Sequence, residues 1–483
     1  MTSHRPAIAA TRIPLRFMGA LAGAYAAALA AVIVAATLDS NSRLLFWPIV
    51  ATAASVAALI WSIRTSDRSA SYFEIGVVYA GIVALYAAVP PVIAVLNGFE
   101  FSPLRDGRFA AAQPLPSEIA SIAWWYAIYV AAFCFTYALV RPRESVRAKP
   151  LKPAGRAVPI AAVMLLAAVK LFDVVMIWAF HLHPQSYGEQ YLLIGELPMF
   201  WRQIANVLDG MEITLELIIL AALAFNYRRT KWLIVLFVAA LVALTVLRRG
   251  ARTEMAIVVI AAMQLRDLLV KRISARTIGI AAAAGFMAFL AMSIVRQESY
   301  GFRLPTLEEL SGPGTDFEGI FNNAWDLKYV QGASGAFRDQ PSLLYSGITG
   351  LIPQQLLPFQ KASPSVWYVQ TYYPVDYARG GGLVFGVVAQ AVVGYGVIEL
   401  LLRGIFVGLL LGSVHRYFVH GRVGVFYLAF YVWMTVMAYQ TCRNTTLSLV
   451  SQTLYRFVPA VLATLLLAAV LRRGRELRKR LFA

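Results

Sequence analysis

Apolar runs of roughly 17–25 residues, the length that a membrane-crossing helix requires, recur along this entire 483-residue chain. Inside a hydrocarbon core every backbone amide and carbonyl must be paired within the protein, so only helices and closed barrels can span it. The runs are rich in Ala, Leu and Val and do not alternate with period two, which selects helices over an outer-membrane barrel. Charged residues make up only 14% of the chain, too few to cover a soluble protein of this size. The expectation is an all-α, polytopic membrane helix bundle.

The hydropathy pattern places about twelve spans, at 17–37, 44–63, 73–96, 118–140, 157–180, 208–226, 232–247, 254–270, 277–295, 383–414, 423–441 and 452–471. Arg5, Arg12 and Arg16 precede a first apolar run of about 21 residues, longer than a signal-peptide core, so it reads as a retained span. Pro90-Pro91 predicts a kink in the third span. The segment 383–414 is too long for one straight crossing and carries Gly394 and Gly396. A break is expected there, with the first part at the interface or re-entrant. Three regions result: residues 1–295 with nine spans, a large loop at 296–382, and 383–483 with three spans and a basic tail.

Orientation follows from the basic residues. With both termini inside and twelve crossings, "RPRESVRAKPLKPAGR", the tail "RRGRELRKR" and the other inside segments hold 26 of the 43 Lys and Arg residues. That is the positive-inside pattern. It accounts for much of the formal charge of +18, and no nucleic-acid-binding module is visible. The five histidines never adopt zinc-site spacing, and Cys134 and Cys442 imply no disulfide framework. No metal or nucleotide cofactor is expected, because neither a Walker motif nor a dinucleotide fingerprint occurs.

The same count puts "TVLRRGARTEMAIVV", Thr245 to Val259, on the outer face. There Arg248, Arg249 and Arg252 run against the positive-inside trend. Arginine is permanently charged and binds phosphate in bidentate fashion. The turn therefore reads either as contacts to lipid head groups or as a specific anion site. Arg296, Arg443 and Arg456 are further cations toward the same side. In "DGMEITLEL", Asp209, Glu212 and Glu216 share one helical face. They are either counter-charges for the arginines or include a general base. Glu254 reads as an anchor for the arginine turn. Lys170 with Asp173, and Glu399 with Arg403, have the spacing of ion pairs within a helix. For the first of these a proton relay is the alternative. His181 and His183 are acid–base candidates just outside the fifth span.

The large loop holds 14 aromatic residues, seven of them Tyr and two Trp. It reads as a folded loop with interfacial helices. Trp367, Tyr372 and Tyr373, with Arg338 nearby, also suit stacking against sugars.

Taken in order, a short "RGART"-type outer turn, an outer Arg after the next span and one long outer loop resemble a known layout. The loop contains "LYSGITGLIPQQLLPFQKASPS" and leads into "GGGLVFGVVAQAVVGYGVIELLLRGIFVGLLLG". This resembles the bacterial oligosaccharide repeat unit polymerases, the O-antigen polymerase (Wzy) type, over roughly residues 228–460. The chain departs from the family pattern at "VGYG", where the family has an "NFG" stretch, and at Gln390, where an acidic residue is expected.

The resemblance implies a C-type glycosyltransferase-like fold in the bacterial cytoplasmic membrane, active at the periplasmic face. Undecaprenyl-pyrophosphate-linked oligosaccharides would be joined into O-antigen, capsule or exopolysaccharide. By analogy Arg249 and Arg252 hold the donor pyrophosphate, and Arg248, Arg296 or Arg443 assist; Arg338 is a further candidate for substrate binding. Glu298, Asp316, Glu318 and Glu212 are candidates for the base. Membrane lipids, a chain-length regulator and a flippase are the partners such an enzyme would meet. An O-antigen ligase and a flippase or transporter of lipid-linked oligosaccharide are the rival readings; a non-catalytic scaffold would not need so many charges at one face.

Overall fold

The computed structural model describes residues 27, 29–66, 71–96, 113–142, 155, 157–180, 197–225, 227–247, 252–274, 276–278, 280, 316–378, 384–421 and 424–481. Among them the protein is all-helical, with seven helices long and apolar enough to cross a membrane. It is a polytopic membrane helix bundle. The first four long helices are α1 (Ser40–Ser66), α2 (Ile75–Leu96), α3 (Pro116–Val140) and α4 (Ala157–Ala179). They match the second to fifth expected spans, and α2 runs through Pro90-Pro91 to Leu96. Next come α5 (Met199–Ala224), α6 (Tyr227–Leu247) and α7 (Arg252–Leu269), which pack on one another. Most of the expected first and ninth spans lies outside the described residues.

Among its described residues the large loop contains α8 (Asp316–Trp325), a π turn over Asp326–Val330, several short helices and α9 (Pro364–Tyr372). The long apolar segment that follows divides at the expected glycines into α10 (Val387–Val393) and α11 (Val397–His420). Gly396 has φ +69°, a conformation that an L side chain rarely adopts. All seven residues of α10 are buried, so this half-helix lies inside the protein. Helices α12 (Val425–Met437) and α13 (Val458–Leu481) close the bundle.

The tightest helix pair is α3 with α11. Gly404, Gly408 and Gly412 recur every four residues and so share one face. A Cβ at Gly404 would stand 2.9 Å from the Tyr129 carbonyl oxygen, and one at Gly408 2.8 Å from Thr136 Cβ. One at Gly412 would stand 3.0 Å from Val140 Cβ. Both helices therefore run in the same direction at close backbone approach. Small residues serve this purpose in membranes, where lipid tails supply no hydrophobic drive between helices.

Three contacts gather one end of the bundle. Arg141, just past α3, donates to Ser66 Oγ at the end of α1. Ser71, just before α2, donates to Asp267 near the end of α7. Arg472 of α13 lies against Gly155, which precedes α4. Arg141, Gly155 and the start of the basic tail at Arg472 thus mark this "basic end". At the opposite end Trp325 Nε1 donates to Glu118 in the first turn of α3 (2.9 Å), and Lys328 Nζ to Ser121 (2.8 Å). The large loop covers this "loop end". Because Asp267 is at the basic end, α7 starts with Arg252 at the loop end. A helix rises 1.5 Å per residue, so α7 carries Arg252 roughly 22 Å from Asp267.

Candidate functional site

Arg252, the first residue of α7, starts at the loop end, which the aromatic loop covers. Arg248 and Arg249 themselves lie outside the described residues, as do Arg296, Glu298, His181 and His183. Arg252 opens α7, but its side chain is not among those described, nor are those of Glu254, Asp316 and Glu318.

Helix α5 packs on both α6 and α7. Glu212 and Glu216 on α5 are both buried. Isolated charges in such a setting are costly and need partners. Lys170 of α4 reaches across to Glu212 and forms an ion pair with it. The i, i+3 spacing of Lys170 and Asp173 did not suggest this cross-helix pair. Two residues away, Gly210 supports Arg456. A Cβ at 210 would stand 2.9 Å from Arg456 Cγ and 3.6 Å from its Nε. Arg456 belongs to a π turn, Thr453–Phe457, that leads into α13. Such turns recur at functional sites. Lys170 of α4 and Arg456, just before α13, thus both meet α5, which packs on α6 and α7. Glu212 is committed to Lys170, which suits holding a cation in place better than taking a proton from a sugar.

Arg443 ends the short helix Gln440–Arg443, where its carbonyl accepts the Gly386 N–H (2.9 Å). Gly386 has φ +82°, and a Cβ there would collide with the Ile320 side chain. Arg338 donates from Nε to the Gly394 carbonyl (3.2 Å), with its guanidinium 5.8 Å from the Tyr395 ring centre. It therefore caps the end of α10. Backbone amides of Gly335 and Phe337 take the Val392 and Val393 carbonyls, which would otherwise be orphaned at the helix end. Glu399 and Arg403 form the expected i, i+4 pair, and Glu399 also accepts the Tyr395 N–H (2.7 Å). Arg403 extends to Thr446 (2.5 Å). Polar groups thus surround the break between α10 and α11.

The aromatic residues of the loop organise around a buried acid absent from the sequence-based candidates. Asp326 is fully buried and accepts hydrogen bonds from Tyr368 (2.5 Å), Tyr373 (2.7 Å) and Gln331 (3.1 Å). Burial and the Asp326 carboxylate push the Tyr373 phenol above its ordinary range. Trp367 packs edge-on against both Phe337 and Tyr372. Tyr373 thus commits its hydroxyl to Asp326, and Trp367 and Tyr372 join the same cluster. Exposed rings toward the loop end instead include Tyr329, Tyr345, Phe359, Tyr377 and Tyr395.

A second buried network lies at the basic end. Glu74 accepts two hydrogen bonds from Arg141, Nε at 2.6 Å and Nη2 at 3.0 Å. It also accepts one from Tyr137 (2.8 Å), and His415 Nε2 is 3.5 Å away. His415 Nδ1 in turn lies 2.8 Å from the Tyr431 hydroxyl. This network ties α2, α3, α11 and α12 together. Arg141 had read as a topogenic cation, and nothing in the local pattern linked it to Glu74. Among the described residues no group of His, Cys, Asp and Glu could hold a metal ion. No protein-family model, no curated protein and no solved structure matches the chain.

Proposed function

We propose that the chain polymerises undecaprenyl-pyrophosphate-linked oligosaccharide repeat units into polysaccharide at the periplasmic face of a bacterial cytoplasmic membrane. The observation that carries this reading is the placement of α7. Arg252 starts that helix at the end covered by the aromatic loop, while Arg141, Gly155 and Arg472 of the basic tail lie toward the other end. With the basic end cytoplasmic, the arginine turn and the loop face the periplasm together.

The chemistry suits such a placement. In the transfer, the bond from the donor sugar's anomeric carbon to the pyrophosphate oxygen breaks, and the lipid pyrophosphate leaves with the electron pair. A hydroxyl of the acceptor glycan forms the new glycosidic bond and gives its proton to a base. Arginines directed at the developing pyrophosphate charge, in a setting poor in water, stabilise the transition state. Lys170 and Arg456 add positive charge beside α5, and Glu212 holds Lys170 in place. With Glu212 so engaged, the loop acids Glu298, Asp316 and Glu318 are the better candidates for the base.

Arg252→Ala tests the reading in cells. Polymer should disappear while single repeat units are still made and displayed. Polymer of normal length and amount in that variant contradicts it. A second reading rests on the buried half-helix α10 and the glycine break before α11. Transporters use discontinuous helices of this kind at their substrate sites, which favours translocation of the lipid-linked glycan. In that case loss of the protein strands the repeat unit on the cytoplasmic leaflet. Loss of a ligase would instead leave finished polymer on its lipid carrier.

A further inference from the structure

The large loop is uneven in charge. Residues 296–339 carry most of its acids and bases, whereas residues 340–375 hold a single charged side chain, Lys361. A water-facing surface of that length would normally be more charged. Within it, large apolar side chains point outward: Leu356 is 72% exposed, Tyr345 and Ile348 53% each, and Phe359 47%.

Two anchors place this surface against a membrane span. The Tyr455 hydroxyl donates to the Leu351 carbonyl (3.0 Å), and Ser451 Oγ donates to the Gly350 carbonyl (3.2 Å). Both donors lie within the first turns of the apolar helical stretch Ser448–Gly474. The outward face of that stretch is apolar and open, with Leu454, Val458, Leu462 and Leu466 exposed. The loop's exposed apolar surface therefore continues a lipid-facing one, at the depth where the span begins. The projecting turn is also preformed. Gln354 donates from Nε2 to the Phe359 carbonyl (2.7 Å) and accepts the Lys361 N–H (3.0 Å). Lys361 Nζ sits 5.8 Å from the Tyr455 ring centre, where a lysine can reach lipid phosphates while its stem stays among apolar groups.

We infer that residues 345–361 form a membrane-inserted knuckle whose partner is the bilayer itself. Leu356 and Phe359 enter the boundary between head groups and acyl chains, and Lys361 engages the phosphates. This does not depend on the polymerase reading; any protein with this loop would be held to the bilayer surface in the same way.

Leu356→Cys, labelled with an environment-sensitive fluorophore in the full-length protein, tests the inference. The protein would be placed in nanodiscs of phosphatidylethanolamine and phosphatidylglycerol. The native Cys134 and Cys442 are buried, and the unsubstituted protein gives the labelling background. Asp339→Cys is the comparison position, and Ile352→Cys repeats the measurement inside the knuckle. The expected result is blue-shifted emission at 356 and 352. Lipids carrying a nitroxide on the upper acyl chain should quench both at least about twofold more than position 339, as for an interfacially buried element. Water-like emission at 356 with no more quenching than at 339 overturns the inference, and leaves the exposed surface as a docking face for another protein.

Discussion

The side chain of Arg456 lies across Gly210, its Cγ 2.9 Å from where a Cβ on residue 210 would stand. The absence of a side chain at 210 therefore sets where a cation at the top of α13 meets α5. Gly210→Val should displace that guanidinium. Misplacing a charge by about 1 Å near a reacting group can cost around a hundredfold in rate. The expected outcome is a loss of polymer of at least about tenfold at unchanged protein abundance, read by carbohydrate-stained gel and immunoblot. Normal polymer would remove Arg456 from the site.

At the opposite end, Glu74 and Arg141 are both buried and joined by two hydrogen bonds. Removing one partner leaves the other charge uncompensated in a setting of low polarity. Glu74→Gln should lower stability by about 3–5 kcal/mol, visible as a drop in Tm of the detergent-solubilised protein. Glu74→Met combined with Arg141→Met should recover much of that loss. A double variant as unstable as the sum of the singles would show that the two charges are not coupled.

The contact between α3 and α11 makes a sharper demand. Leucine at Gly408 has to displace Thr136 and the Phe133 carbonyl, 2.8 and 3.0 Å from the new Cβ. Overpacking of this kind costs about 1–3 kcal/mol or more. Gly408→Leu should therefore lower Tm clearly, whereas leucine at the neighbouring lipid-exposed Ile405 should leave it nearly unchanged. Equal effects at the two positions would mean that the helices do not approach through their glycines.

Topology is tested independently of activity. Ala251→Cys should react in intact spheroplasts with a thiol reagent that does not cross the membrane. Labelling only after the cytoplasmic side is opened would reverse the orientation and place the arginine turn among cytoplasmic loops.

Much of the architecture is legible in the sequence because its signals are local. Apolar length gives the long helices, and Gly394 and Gly396 give the break between α10 and α11. The Glu399–Arg403 pair follows from i, i+4 spacing alone. What the sequence conceals is long-range pairing. Lys170 finds Glu212 forty-two residues away, and Arg141 finds Glu74 sixty-seven away. Neither partner can be read from spacing within one helix. Asp326 was hidden in "WDLKYV", where the aromatic residues drew attention to stacking. Its role depends on Tyr368 and Tyr373 folding back from a distant helix. Arg248, Arg249 and Arg252 stand out in sequence through a different kind of signal, a local charge that runs against the expected positive-inside pattern.

The central claim is that this protein itself joins lipid-linked repeat units. The most direct measurement reconstitutes the purified protein in proteoliposomes with the undecaprenyl-pyrophosphate-linked glycan that accumulates in cells lacking it. No nucleotide sugar or added metal is supplied. The expected outcome is a ladder of glycans growing by one repeat unit per step, undecaprenyl pyrophosphate released at each step, and neither product with Arg252→Ala. A glycan that stays at one repeat unit, or only changes leaflet, would contradict it.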